Sequence, residues 1–181
     1  MNLKTNRLLL RELSVEDIPA IHQLNSIPEV DRYNTLGLPQ SIEDTEKIIL
    51  PIIHDQTEMP RPRYVWFVEN TEQDFVGLFG LVIGKQKYST AEIWYKVHPK
   101  HWGKGYATET VTLILGFTFN TLKLHRVTAG CATENTASIR VLEKCGFIRE
   151  GMCRKILPIR GNWMDNYEYA ILEEEYERIQ K

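Results

Sequence analysis

Residues 91 to 109 read AEIWYKVHPKHWGKGYATE, and this stretch decides how the chain folds. Its first part, Ala91–His98, mixes apolar and polar side chains as a strand does, and Pro99 stops it. At the far end a helix is predicted from about Tyr106 to Thr121, bearing Val111, Leu115, Phe117 and Phe119. Between them lie Gly103 and Gly105, poor helix formers at the entrance of a long helix. Without side chains, both can offer their N–H groups to a ligand at close range. The first turn of the helix adds unpaired N–H groups and the positive end of its dipole. Together these make an anion site, whose usual occupant is a phosphate. The dipole contributes only about 0.3–1 kcal/mol, so direct N–H bonds carry most of the binding. Lys96, His98, Lys100, His101 and Lys104 surround the loop and raise the local potential. A tight turn that binds nothing would use the same glycines. The third glycine of a dinucleotide fingerprint is missing, and no GK[ST] follows for a P-loop.

Outward from this stretch, the chain alternates strands and helices with no repeat and no Gly/Ser-rich linker. Arg7 to Leu13 suits a first strand. Ser14-Val-Glu-Asp17 is a capping box in its Asp form, opening a short helix through Leu24. Pro28 interrupts further helix. Ser41-Ile-Glu-Asp44 opens a second helix toward His54, which Pro51 is expected to end or kink. Arg63–Glu69 and Asp74–Ile83, separated by Asn70-Thr-Glu-Gln73, read as a hairpin. After the glycine loop and its helix, Arg126–Ala132 is a strand. Asn135 to Cys145 is an amphipathic helix closed by Gly146. Phe147–Arg154 and Tyr167–Leu172 form a last strand pair. Strands that pair locally and then alternate with helices predict a mixed sheet, α/β in order or α+β in looser schemes.

The 181 residues fit a single domain, and a hydrophobic fraction of 43% suffices for a sizeable core. The formal net charge of -2, from 22 basic and 24 acidic residues, argues against a nucleic-acid partner held through phosphates. The three-leucine run in MNLKTNRLLLREL is too short for a signal peptide or a membrane span. Cys131, Cys145 and Cys153 are odd in number and form no CxxC pair. They read as reduced thiols of a cytoplasmic protein, with no metal framework.

AEIWYKVHPKHWGKGYATE, followed some thirty residues later by NTASIRVLEKCGF, resembles the Gcn-related N-acetyltransferase (GNAT) superfamily. Thr5-Asn-Arg-Leu-Leu-Leu-Arg-Glu-Leu13 is similar to the TxRLxLRxL opening of its RimJ/RimL-like branch, and the resemblance runs from about Thr5 to Glu173. It implies a mostly antiparallel sheet of about seven strands, splayed at a central bulge and flanked by about four helices. It also implies acetyl-CoA as acyl donor, with the loop cradling its pyrophosphate. The family pattern [QR]xxGx[GA] falls on Trp102, Gly103, Lys104, Gly105, Tyr106 and Ala107, with Thr108 following. Trp102 stands where Gln or Arg is usual, which touches one side-chain contact and leaves the backbone cradle intact. In the resemblance, strand Ala91–His98 splays from strand Arg126–Ala132, the pantetheine arm lies in the split, and an N–H near Val97 faces the thioester oxygen.

Acetyl transfer to an amine needs a neutral nucleophile, a polarised carbonyl and a protonated leaving thiolate. The resemblance implies direct attack in a ternary complex. Asn135 and Ser138 share a face at a helix start. Asn135 is expected to contact the pantetheine arm and Ser138 to hold or protonate the sulfur. Equally, Asn135 caps its helix and Ser138 is a surface filler. Glu92 is the candidate base, or else a solvated strand carboxylate. Tyr33, Trp66, Trp94, Trp163 and Asp165 are candidates for the acceptor pocket, although strand aromatics usually serve the core. Cys145, lacking a base partner, reads as a buried thiol rather than a nucleophile.

Where some relatives carry an acid after their GFxxEG turn, this chain has Ile156-Leu157-Pro158, so no dedicated base is evident. Freeing a lysine amine of pKa ~10.4 near pH 7 costs about 4.6 kcal/mol, against about 1.1 for an α-amine near ~7.8. The expected acceptor is therefore a low-pKa amine such as a protein N-terminus. Two alternatives stay open: a small amine such as a polyamine, amino acid or aminoglycoside, and a non-catalytic acyl-CoA sensor. A monomer and a homodimer are both compatible with the sequence.

Overall fold

The computed structural model describes residues 1–180. Its centre is an eight-stranded sheet in the order β1-β2-β3-β4-β5-β6-β8-β7. The strands are β1 (Leu3–Lys4), β2 (Leu8–Glu12), β3 (Arg63–Asn70), β4 (Phe75–Ile83), β5 (Thr90–Val97), β6 (Arg126–Ala132), β7 (Ile148–Ile159) and β8 (Asn162–Leu172). The helices are α1 (Ile18–Asn25), α2 (Pro28–Asp31), α3 (Ile42–His54), α4 (Tyr106–Gly116), α5 (Thr136–Lys144) and α6 (Glu173–Ile179). The extra strand over the expected seven is β1, two residues long. The extra helices are the one-turn α2 and the C-terminal α6.

Central strands are apolar on both faces because helices cover both. On β3, Trp66 and Val68 join Val111, Ile114 and Phe117 of the α4 side, whereas Val65 and Phe67 join Ile21, Leu24 and Ile49 of α1 and α3. The Asp17 carboxylate accepts from the Ser14 N–H at 2.8 Å, and Arg11 donates to both its oxygens at 2.7 Å, which fixes the entry to α1.

Three sequence expectations change. Pro28 opens a helix rather than interrupting one, since its fixed φ suits the first helical position. Pro51 does not end α3, which continues to His54. The last strand pair is longer than Phe147–Arg154 and Tyr167–Leu172, with Pro158 paired to Trp163 inside it. A proline is tolerated there because β7 is the edge strand and Pro158 need donate to no outer neighbour. The helix predicted to Thr121 does reach it, but Phe117–Thr121 is a π-helical turn.

Every strand pair is antiparallel except β5 with β6. That parallel pair joins only Thr90–Arg126, Ala91–Val127 and Glu92–Thr128. Beyond Glu92 the two strands part. The β4–β5 ladder meanwhile stays in register from Ala91 to Val97, so the gap opens on the β6 side with no register shift toward β4.

Candidate active site

The gap widens into a cavity of about 1010 Å³. Its walls are the parted ends of β5 and β6, the loop before α4, the start of α5, and residues of α2 and α3. Just past β5 the His98 N–H bonds back to Val76 O on β4 at 2.8 Å. Because an antiparallel strand turns successive residues' N–H and C=O groups to opposite sides, those of Tyr95 and Val97 face the gap. The Val97 carbonyl accepts the indole N–H of Trp102 at 2.8 Å, leaving the Val97 N–H as a free donor in the split. Trp102 thus has a structural task in the place where the family pattern has Gln or Arg.

Gly103 and Gly105 have φ of 74° and 80°, the left-handed region that favours glycine. A Cβ at Gly103 would meet nothing within 4 Å, so the loop is open toward the cavity. Gly105 caps α4 without any side-chain hydrogen bond, and the first helical bond runs from Glu109 N to Gly105 O. Among the described residues, the N–H groups of 103–108 bond to no protein acceptor. Six consecutive open amides at a helix start fit a phosphate-bearing ligand. Gly103, Gly105, Tyr106, Ala107 and Thr108 line the cavity; the exposed Lys104 does not, and offers only its backbone to the loop.

The loop is held from outside by the N-terminal motif. Arg7 donates to Glu109 of α4 at 2.8 Å and to Lys104 O at 3.3 Å, and stands over the Tyr106 ring at 5.0 Å. Thr5 hydrogen-bonds the same Glu109. The expected cluster of cations is thinner than its sequence suggests. Burial, then nearby lysines, push His98 and His101 below the usual histidine range, so both are neutral near pH 7. Lys96 points away from the loop altogether, and Arg140 and Lys144 of α5 line the cavity instead.

Ser138 and Tyr95 meet across the split, with Oγ and the phenol oxygen 2.7 Å apart. Burial pushes the phenol well above its ordinary pKa, so Tyr95 stays protonated. Asn135 caps α5, its Oδ1 accepting from Ser138 N at 3.2 Å, which leaves its NH₂ group for a ligand. Burial pushes the Cys131 and Cys145 thiols up, against a nucleophilic role.

Several candidates lie elsewhere. Trp66 is 1% exposed and packs edge-on to Phe117 in the core, because its face of β3 turns toward α4. Glu92 is exposed, in the still-paired part of β5, and does not line the cavity. Trp163 and Asp165 border a separate depression of about 420 Å³, and Asp165 accepts from Lys155 N at 2.8 Å. Tyr33 and Trp94 do line the main cavity. Tyr33 donates to Glu134 O at 3.1 Å, bridging α2 to the segment before α5. Trp94 lies flat over Gly80, where a Cβ would come within 2.2 Å of its ring.

Sequence reasoning missed Tyr95 as a partner of Ser138, and it misplaced Lys96. The signal was present in AEIWYKV: alternation puts 93, 95 and 97 on one face and 94 and 96 on the other. Thr5, Arg7 and Glu109 stood in motifs that gave no hint of their mutual contact.

A split parallel pair ending at an open amide loop has room for a long phosphate-bearing ligand. The family model for an acetyltransferase (GNAT) domain matches residues 7–148. The chain belongs to the GNAT acetyltransferase family. The acyl donor is accordingly acetyl-CoA. The uncharacterized N-acetyltransferase p20 of Bacillus licheniformis is 32% identical over 96% of this chain and 97% of its own. A GNAT-family acetyltransferase structure from Bacillus anthracis is similar at TM-score 0.83 and 35% identity, over 96% of this chain and 99% of that one. The spermidine N-acetyltransferase of Vibrio cholerae, solved with CoA and spermine, gives a TM-score of 0.84 at 28% identity, over 95% and 99%.

Proposed function

We propose that this GNAT acetyltransferase, of the RimJ/RimL-like branch, moves the acetyl group of acetyl-CoA to a primary amine of a small molecule. The observation that carries the reading is the β5–β6 ladder that stops after Glu92, opening on six free amides at 103–108. The branch assignment rests on the opening motif, whose Thr5 and Arg7 brace the loop through Glu109. Small acceptors are favoured by the Vibrio cholerae relative, whose structure holds spermine. The protein N-terminus expected from the lack of a base rests on the pKa argument alone. The reduced, unpaired thiols fit a cytoplasmic setting.

The assigned roles follow from position. The amides of Gly103–Thr108 hold the diphosphate, and Asn135 binds the pantetheine arm. The Val97 N–H stabilises negative charge growing on the carbonyl oxygen. Ser138, hydrogen-bonded to a phenol that keeps its proton, supplies a proton to the departing sulfur. The acceptor enters from the side of Tyr33 and Trp94. Among the described residues the two cavity carboxylates, Glu29 and Glu134, are both exposed, so none stands inside as a base.

Calorimetry with acetyl-CoA, paired with thiol release over a panel of small amines and short peptides, tests this reading. Binding with turnover on at least one small amine is expected. Tight binding with no thiol release on any amine would make the chain a sensor, and faster turnover on peptides would move the acceptor to protein N-termini.

A further inference from the structure

Lys96, in β5, lines the acceptor side of the cavity with a cation that no carboxylate among the described residues pairs. It shares a face of β5 with Trp94, one residue from the Val97 that borders the split. Its Nζ donates to Asn25 Oδ1 at 2.8 Å. An ammonium has three donors, and among the described residues no carboxylate comes within 4 Å of this one.

The surrounding charges do not supply the missing anion. Glu29 and Glu134 stand exposed on the cavity wall. Asp31, buried in α2 with its Oδ1 unpartnered among the described residues, attracts Lys96 through space, but it makes no ion pair with the ammonium, its Oδ2 lies 3.6 Å from Arg160, and it does not line the cavity. The other lining cations here are Arg32, which is exposed, and Arg63, which Asp55 pairs at 2.5 Å. Burial pulls the Lys96 pKa down to about 8, the response of an ammonium short of a counter-charge. A polycation entering this half would meet like charge at Lys96, with only the exposed Glu29 and Glu134 on the wall to draw it.

Resting on the acetyltransferase reading above, we infer that Lys96 is a specificity residue that binds a carboxylate borne by the acceptor. The acceptor class is a free amino acid, with amine and carboxylate a few bonds apart, rather than a polyamine.

The test compares free amino acids with their own carboxamides and with spermidine, by thiol release near pH 7. It is a stringent pairing, because the carboxamide's α-amine, near ~7.8, is the more readily freed. Even so, kcat/KM is expected to favour at least one free acid by about tenfold or more. Lys96→Met should raise KM for that acid by about 10–100-fold, the scale of one hydrogen bond to a charged group. The same variant should lower kcat/KM for the carboxamide far less than for the acid, and Lys96→Gln, which keeps a polar head, guards against a folding artefact. Lys96→Glu should shift preference toward spermidine. Spermidine or a carboxamide outpacing every acid on the native enzyme would overturn the inference while leaving acetyl transfer intact. An equal fall in kcat on all acceptors in Lys96→Met would make the lysine a base and overturn it too. No thiol release on any amine would overturn the acetyltransferase reading itself.

Discussion

Around the loop before α4, residues 103–108 keep their backbone N–H groups unbonded beside the cavity; across the split the cavity is lined by the side chains of Asn25, Tyr33, Trp94 and Lys96. The first wall can be written only one way in sequence, because left-handed φ and close approach both demand glycine. The second can be rewritten one side chain at a time without disturbing the sheet. A shared donor and a variable acceptor are what such a division of materials allows.

The contrast breaks first at Gly105. A β-branched side chain at φ of 80° is strained, and its Cβ would stand 3.7 Å from the Arg7 guanidinium that braces the loop. Gly105→Val is expected to weaken acetyl-CoA binding by roughly 100-fold, from about 1–3 kcal/mol of strain plus the lost charge-assisted bonds. Calorimetry would read it, and a native-like affinity would mean that the backbone wall does not hold the donor.

Ser138→Ala sharpens the comparison next, since Ser138 is a side chain set in the donor wall. Its kcat should fall by about 100-fold, the lower end for a lost proton donor, with the acetyl-CoA KM little changed. Tyr95→Phe should cost less, and the double variant should cost little more than Ser138→Ala, because in the proposed roles both act on one proton. Steady-state kinetics of the cycle would show this, and fully additive losses would separate the pair.

Arg7→Ala should act only through the loop. A several-fold rise in acetyl-CoA KM with kcat retained is the expected result, modest because the guanidinium is half exposed. Smallest of all, Glu92→Gln should change kcat/KM by no more than about twofold, as suits a surface position. A loss of about 100-fold there, with a shifted pH profile, would restore Glu92 as a general base.

The same division explains what could be read in advance. The parting of the strands at Ala91–His98 came only from the family resemblance, whereas the glycine loop and the helix it opens were legible because they rest on backbone geometry. Strand aromatics were not, since alternation says that Trp66 and Trp94 each take a face but not which face meets the cavity. Both faces of β3 are covered, so Trp66 joined the core; Trp94 found Gly80 beneath it. Lys96 was read by its neighbours His98 and Lys100, although the pleat sends it to the opposite side of the sheet from the loop. The hairpin of β7 and β8 was cut short at Arg154, because Ile156-Leu157-Pro158 lacks strand alternation and its edge position is invisible in the sequence.

The three rungs between β5 and β6 make the sheet two blankets tacked together along a short seam. Strands β1–β5 and β6–β8 each have their own complete ladders, so cohesion between the blocks is thin in the backbone and depends on the helices. A molecule lodged in the seam contributes adhesion where the protein has least of its own. Heat resistance should therefore climb with the logarithm of its concentration. The two blocks, loosely coupled when bare, should then melt as one unit.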